Sequence, residues 1–223
     1  MSPMLRENKK PQTSVAVLLI VLFLFADLAL PSAIPEWNEL EDAPTVNRVI
    51  SNVSPVDDTY IDSSYPTDNF EQAANGTLDG SASTPTRLLF SFNLSFGSTD
   101  TILSAILSLT CTSDVIVSTD IAIYPAELTA SWNATQVTWV NSATSIMWNS
   151  PGADGSSERG VWEPPHRAVT NGTMLVNVTA LAQQAASNNQ NTLELIVASE
   201  GAQYTCALSE SAIVSQRPSL TLD

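Results

Sequence analysis

The feature that most constrains this chain is a two-residue alternation of side-chain character that returns along most of its length. Leu88, Phe90 and Phe92 alternate with Leu89, Ser91 and Asn93, and Leu103, Ala105, Leu107, Leu109 and Cys111 with Ser104, Ile106, Ser108 and Thr110. Met174, Val176 and Val178 alternate with Leu175, Asn177 and Thr179, and Leu193, Leu195 and Val197 with Glu194, Ile196 and Ala198. Ile121 and Ile123 add a shorter run ahead of Tyr124-Pro125. A period of two puts alternate side chains on opposite faces of a strand, so each run is a strand with one buried face. About eight to ten such strands, separated by turn residues, predict an all-β sandwich. One short helix is expected over 180–187 (ALAQQAAS), ended by Asn188-Asn189.

The N-terminus breaks this pattern. Arg6, Lys9 and Lys10 precede the apolar run Val15–Ala26. A basic region followed by an apolar core of that length marks an export signal. Two readings stand: cleavage near Ala33 after a small-residue segment, or an uncleaved anchor helix over about Val15–Ile34 with Asp27 near its outer end. Residues 1–33 are therefore read as signal peptide or signal anchor, 34–55 as an acidic linker and 56–223 as the sandwich. Both readings place the rest of the chain outside the cytoplasm, secreted or at the cell surface. Membrane contact is expected only through the N-terminal segment, if it is uncleaved.

Charge narrows the partners. From Ile34 onward five Arg and no Lys face 21 Asp and Glu, a formal −16. Nucleic-acid binders neutralise phosphates with Lys and Arg, so nucleic acid is excluded as a partner. Unassisted binding to anionic polymers is disfavoured on the same ground. Six N-x-S/T sequons occur, at Asn52, Asn75, Asn93, Asn133, Asn171 and Asn177. Asn52 is followed by Ser54-Pro55, an unfavourable context, which leaves the other five as candidate glycosylation sites. The two cysteines, Cys111 and Cys206, each share the apolar parity of their runs. In an exported domain they are expected to form a disulfide, with two buried free thiols as the alternative.

No catalytic constellation stands out. His166 is the only histidine and sits beside Pro164-Pro165, so a hydrolytic triad or zinc site lacks its other members. Two carboxylates could in principle hydrolyse a glycoside, but nothing singles out one pair among 21 acids. A better use for acids is a structural calcium ion, for which Asp57, Asp58 and Asp154 are the candidate ligands, against the plainer reading of solvated turns. Trp132, Trp139, Trp148 and Trp162 lie close together in sequence. Aromatic rings stack on the apolar faces of sugars or fill a core. Trp139 and Trp148 are read as core, and Trp162, Trp132 and Tyr124 as candidate ligand-binding residues.

Seven motifs in order then carry a family resemblance. Asp58-Thr59-Tyr60-Ile61 with Pro66-Thr67-Asp68-Asn69-Phe70 is similar to D-T-Y-[IV]…P-x-x-N-[FY]. Segments 87–94 (RLLFSFNL) and 102–109 (ILSAILSL) resemble R-x-L-[LI]-x-F-[DN]-L and I-x-x-A-x-L-x-L. Segments 132–139 (WNATQVTW) and 148–154 (WNSPGAD) resemble W-x-E-x-x-V-T-W and W-x-x-P-G-G-D, with Ala134 in place of Glu and Ala153 in place of the second Gly. Segments 176–181 (VNVTAL) and 217–222 (RPSLTL) resemble V-x-V-T-x-L and R-P-x-L-x-[LV]. Together these resemble the DNRLRE-type domain, also classed as family-96 carbohydrate-binding modules.

That resemblance implies a jelly-roll β-sandwich and binding of polysaccharide or surface glycan; with no catalytic constellation among its residues, the chain is read as non-enzymatic. Acidic polysaccharides are bound by some members, whereas the charge of this chain favours neutral glycans, and calcium would reconcile the two. The alternative is a structural or adhesive module that contacts other cell-surface proteins and binds no sugar.

Overall fold

The computed structural model describes residues 50–94, 101–112, 121–168, 172–200 and 203–223. The export segment, most of the acidic linker and Asn171 lie outside the described residues. Among the described residues no helix is long and apolar enough to cross a membrane.

Thirteen strands are described, in two main antiparallel sheets and one small hairpin. In chain order they are β1 (Ile50–Val53), β2 (Asp57–Asp62), β3 (Asn75–Leu78), β4 (Thr86–Asn93), β5 (Ala105–Thr112), β6 (Ile121–Glu127) and β7 (Asn141–Ala143). There follow β8 (Ile146–Met147), β9 (His166–Ala168), β10 (Gly172–Asn177), the helix α1 (Thr179–Ser187), β11 (Thr192–Glu200), β12 (Tyr204–Ala207) and β13 (Ser219–Leu222). The six-stranded sheet has the order β1-β13-β5-β12-β3, with β10 also paired to β5. The five-stranded sheet has the order β2-β4-β11-β6-β9. This is an antiparallel β-sandwich with one short helix.

The alternating runs become the central strands, as their period requires. Phe90, Phe92, Leu107, Leu109, Leu193 and Leu195 are fully buried in one continuous core between the sheets. Cys111 and Cys206 are register partners on β5 and β12, and they form a disulfide inside that core. The helix starts one residue earlier than expected. Asn177 Oδ1 accepts hydrogen bonds from the Thr179 amide (3.0 Å) and hydroxyl (2.7 Å), turning the chain into α1. Asn189, just past the helix, holds φ 56°, the left-handed conformation that asparagine tolerates.

Two boundaries differ from the sequence pattern. Ile50–Val53, placed in the linker by their irregular surroundings, form β1 and pair with β13. The sheet therefore starts ahead of Val56: four residues are too few to display a period. Leu103 is 57% exposed while Ile102 is buried. The amides of Leu103 and Ser104 both donate to the Asp223 carbonyl at the chain end, so the ladder register begins only at Ala105.

A third difference positions the site. Strict alternation leaves Leu89 and Ile196 facing outward, yet both are fully buried. With Ile61, Ala126 and Leu128 they form a second apolar cluster on the outer face of the five-stranded sheet, roofed by Val137, Trp148 and Ala153 from the segment between β6 and β9. The five-stranded sheet is thus covered on both sides.

Candidate functional site

The roof over the outer face is irregular chain, and a few polar side chains fix its shape. Glu158 is buried, and its carboxylate accepts the amides of Asn149, Ser150 (3.2 Å) and Gly155 (2.8 Å). Its backbone carbonyl accepts the amides of Thr129 (2.7 Å) and Ala130 (3.0 Å). Asn69 Nδ2 donates to the carbonyls of Ala134 (2.7 Å) and Val137 (2.8 Å), joining the 66–70 loop to the roof. Gly152 holds φ 79°, and a Cβ there would lie 2.5 Å from the Trp139 ring, so this turn accepts no side chain.

At one end of the outer face, cations and aromatic rings interleave. Arg87 donates to the Gly152 carbonyl, pairs with Asp154 at 3.2 Å, and lies 5.3 Å from the Trp139 ring and 5.8 Å from that of Trp162. Arg159 also pairs with Asp154 (2.9 Å) and covers Trp162 at 4.2 Å. Burial lowers the pKa of Arg87 from its ordinary value, and Asp154 opposes that shift. Trp162 is accordingly partly buried among guanidinium groups, and Trp148 is buried with its Nε1 donating to the Thr138 carbonyl at 3.0 Å.

The other end of the face is open. Asp57, Ser91 and Glu194 are register partners on β2, β4 and β11, so their side chains form a row across three strands. Together with Trp132 they line a cleft of about 300 Å³. Its remaining walls come from 128–131 after β6, and from Gln190 and Thr192. Ser91 Oγ donates to Glu194 Oε1 and Trp132 Nε1 to Glu194 Oε2, both at 2.8 Å. Those two bonds fix the tryptophan ring against the cleft and leave lone pairs on each carboxylate oxygen. The result is one aromatic ring, hydroxyls, an amide and two carboxylates around a cleft of ligand size.

The candidates named from sequence separate in space. Trp132 lines the cleft. Tyr124 pairs in register with Ala198 and donates its hydroxyl to Glu200. Four residues along β11 separate that position from Glu194, about 13 Å, so Trp132 and Tyr124 do not share a site. Trp162 belongs with Arg87 and Arg159. The three candidate metal ligands do not converge either. Asp57 is exposed in the cleft, and Asp154 is held by two arginines. Asp58 points inward and accepts from Ser209, at 2.9 Å from the amide and 2.5 Å from the hydroxyl. Burial pushes the Asp58 carboxyl up to about 6, Glu210 and Asp57 add to the rise, and the Ser209 bonds oppose it. Among the described residues no group of three or more His, Cys, Asp and Glu side chains is placed to hold a metal ion.

Of the sequons, Asn75, Asn93, Asn133 and Asn177 are exposed. Asn93 pairs with Thr192, and Asn133 follows Trp132, so both flank the cleft. A second cleft, of about 430 Å³, lies between 163–166 and the start of α1; it holds His166 and Asn177 but no Trp, Tyr or Phe.

Sequence reasoning missed Ser91, Glu194 and Gln190 as cleft residues. The signal was there in part: Ser91 and Glu194 are polar at outward positions whose neighbours, Leu89 and Ile196, are apolar. Knowing that they meet required the strand register.

Fold and cleft together describe an antiparallel β-sandwich that carries a polar cleft bordered by one tryptophan on its five-stranded sheet. Residues 49–223 match the family model described as carbohydrate-binding module family 96, and the chain belongs to that family. A search of curated proteins finds no match to this chain.

Proposed function

We propose that this chain is an exported, non-catalytic module that binds glycan chains in the cleft beside Trp132, displayed at the cell surface or released. The observation that carries this reading is the fixed ring of Trp132, held by Glu194 beside Asp57, Ser91 and Thr192. An aromatic face offers stacking to the apolar face of a pyranose, and the surrounding acceptors and hydroxyls meet its hydroxyl groups. The family supports carbohydrate as the ligand class, and its modules are typically non-catalytic. Export is supported by the N-terminal apolar run and by the disulfide, which suits an oxidising compartment. We take the sandwich to be of the jelly-roll type.

The test is affinity electrophoresis of the full chain through gels carrying neutral or acidic polysaccharides, with and without calcium. Retardation by at least one glycan, lost in Trp132→Ala while the far-UV spectrum is kept, is the expected result. Absence of retardation throughout would sink the reading. A calcium requirement confined to acidic polysaccharides would identify the ion as a bridge between carboxylates. Chain made without glycosylation is the reference, because a glycan on Asn93 or Asn133 would obstruct the cleft.

A second reading, contact with other surface proteins, has one observation in its favour. Ile146 and Met147 at the tip of the β7–β8 hairpin are 58% and 71% exposed. Replacing both by Ser would abolish a protein contact and leave glycan retardation unchanged.

A further inference from the structure

The cleft has a charge that selects among glycans. Asp57 and Glu194 stand on either side of Ser91, about 10 Å apart at two strand spacings, and both line the cleft. No Lys, Arg or His is among the lining residues. Neither carboxylate forms an ion pair among the described residues, where Asp154 takes both salt bridges. Serine and tryptophan donate to Glu194, but both donors are neutral, so its negative charge is uncompensated. The sequence from Ile34 onward carries a formal −16.

A uronate or sulfated sugar entering this cleft would bring like charge against two acids. A neutral sugar would find acceptors but leave the charge as it was. A sugar carrying a protonated amine would neutralise the acids and be drawn in by the surrounding field. We propose that the cleft prefers cationic amino sugars, with free-amine hexosamine units placing ammonium groups on Glu194 and Asp57 and one ring stacked on Trp132. The separation of the two carboxylates is comparable with the length of a disaccharide, so a short oligomer of amino sugars engages both. This inference rests on the glycan reading of the cleft and specifies its ligand.

The experiment titrates the full chain with three soluble oligosaccharides of equal length, followed by tryptophan fluorescence and calorimetry. They are a glucosamine oligomer with free amines, its fully N-acetylated counterpart and an oligouronate, at a pH where amines are protonated and carboxylates ionised. The free-amine oligomer should bind about tenfold more tightly than the acetylated one, the scale of two partly screened ion pairs. The oligouronate should bind weakest. Raising the salt concentration should bring the first two affinities together.

Glu194→Gln keeps an acceptor for Trp132 and a partner for Ser91, and among the described residues the Asp57 side chain has no hydrogen bond to disrupt. E194Q and D57N should therefore each weaken the free-amine oligomer by more than the acetylated one, so that the preference between the two falls. Equal affinity for the free-amine and acetylated oligomers, with both lost in W132A, would overturn the charge inference and leave the glycan reading standing. Absence of binding by all three, and by the neutral polysaccharide gels, would overturn both.

Discussion

The two faces of the five-stranded sheet are buried by different means. On the inner face Leu88, Phe90, Phe92, Leu193, Leu195 and Val197 meet the six-stranded sheet through apolar contact across the whole width of the sandwich. On the outer face Leu89, Ile196, Ile61 and Ala126 are covered by irregular chain, and that chain is shaped by Arg87, Glu158 and Asn69. The inner face gathers many small increments, so its stability is shared. The outer cover rests on a few polar groups: the Glu158 carboxylate satisfies three backbone amides, Asn69 two carbonyls, and Arg87 one carbonyl together with Asp154. Covers of that kind open locally while the structure beneath persists.

The comparison breaks most directly at Phe90, a fully buried ring in the inner core. Phe90→Ala should cost about 3–5 kcal/mol. Chemical denaturation followed by far-UV and tryptophan signals should show both moving together, because the roof has no sheet to rest on once the sandwich melts. A variant that loses the tryptophan signal alone would reverse the assignment of the two faces.

Glu158→Ala tests the other side. It leaves the amides of Asn149, Ser150 and Gly155 without their acceptor, at about 3 kcal/mol for bonds to a buried charged group. The loss should be local. Hydrogen exchange should quicken across 149–155 while amides in the β4–β11 ladder keep their protection. Equal quickening in both places would show that roof and sandwich are one cooperative unit.

Asp58 sharpens the comparison from the inner side, because it is a carboxylate in a row that otherwise reads Phe90 and Leu195. Its folded pKa of about 6 lies above the ordinary 3.8, so the native state holds the proton more tightly than the unfolded chain does. The stabilisation from this group is full below about pH 4 and is lost as pH rises through about 6. Two units correspond to about 2–3 kcal/mol at most. Denaturation midpoints of the wild type should therefore fall between pH 4 and 7 relative to Asp58→Asn, in which that component is absent. A pH profile identical in the two proteins would remove Asp58 as its source.

How much of this was legible in the sequence follows the same division. A strand that packs sheet against sheet displays its buried face as a period of two, which is why β4, β5, β10 and β11 could be read directly. The disulfide partners were legible for the same reason, since both cysteines sat on inward parity. The roof has no period to display. Its organising residues are single side chains whose partners lie far away in sequence: Asn69 and Ala134 are 65 apart, and Ser91 and Glu194 are 103 apart. Nothing local distinguishes Glu158 from the other acids. Trp132, Trp139, Trp148 and Trp162 could be counted, but which ring is roofed over, which is sandwiched by arginines and which borders a cleft depends on register. The one local sign of a roof was an excess of apolar side chains at outward positions, Leu89 and Ile196, which simple alternation leaves unexplained.

Backbone conformation supplies the smallest and cleanest test. Among the described residues, non-glycine positions with positive φ are Ser145, Ala153 and Asn189. Two of the three belong to the roof, and none lies in a strand of either main sheet. Ala153 is fully buried, so replacing it would mix backbone relief with lost packing. Ser145 is exposed at φ 63° in the turn between β7 and β8, and its side chain makes no hydrogen bond among the described residues. A left-handed residue with a Cβ costs about 1–2 kcal/mol, and glycine loses about 0.4–1 kcal/mol of that gain to the entropy of the unfolded chain. Ser145→Gly should therefore stabilise by roughly 0.5 kcal/mol, seen as slower exchange of the β7–β8 amides rather than as a shift of the global transition. A global shift of the same size would mean that the hairpin unfolds only with the sandwich, and that the roof is coupled to it more tightly than its few polar anchors imply.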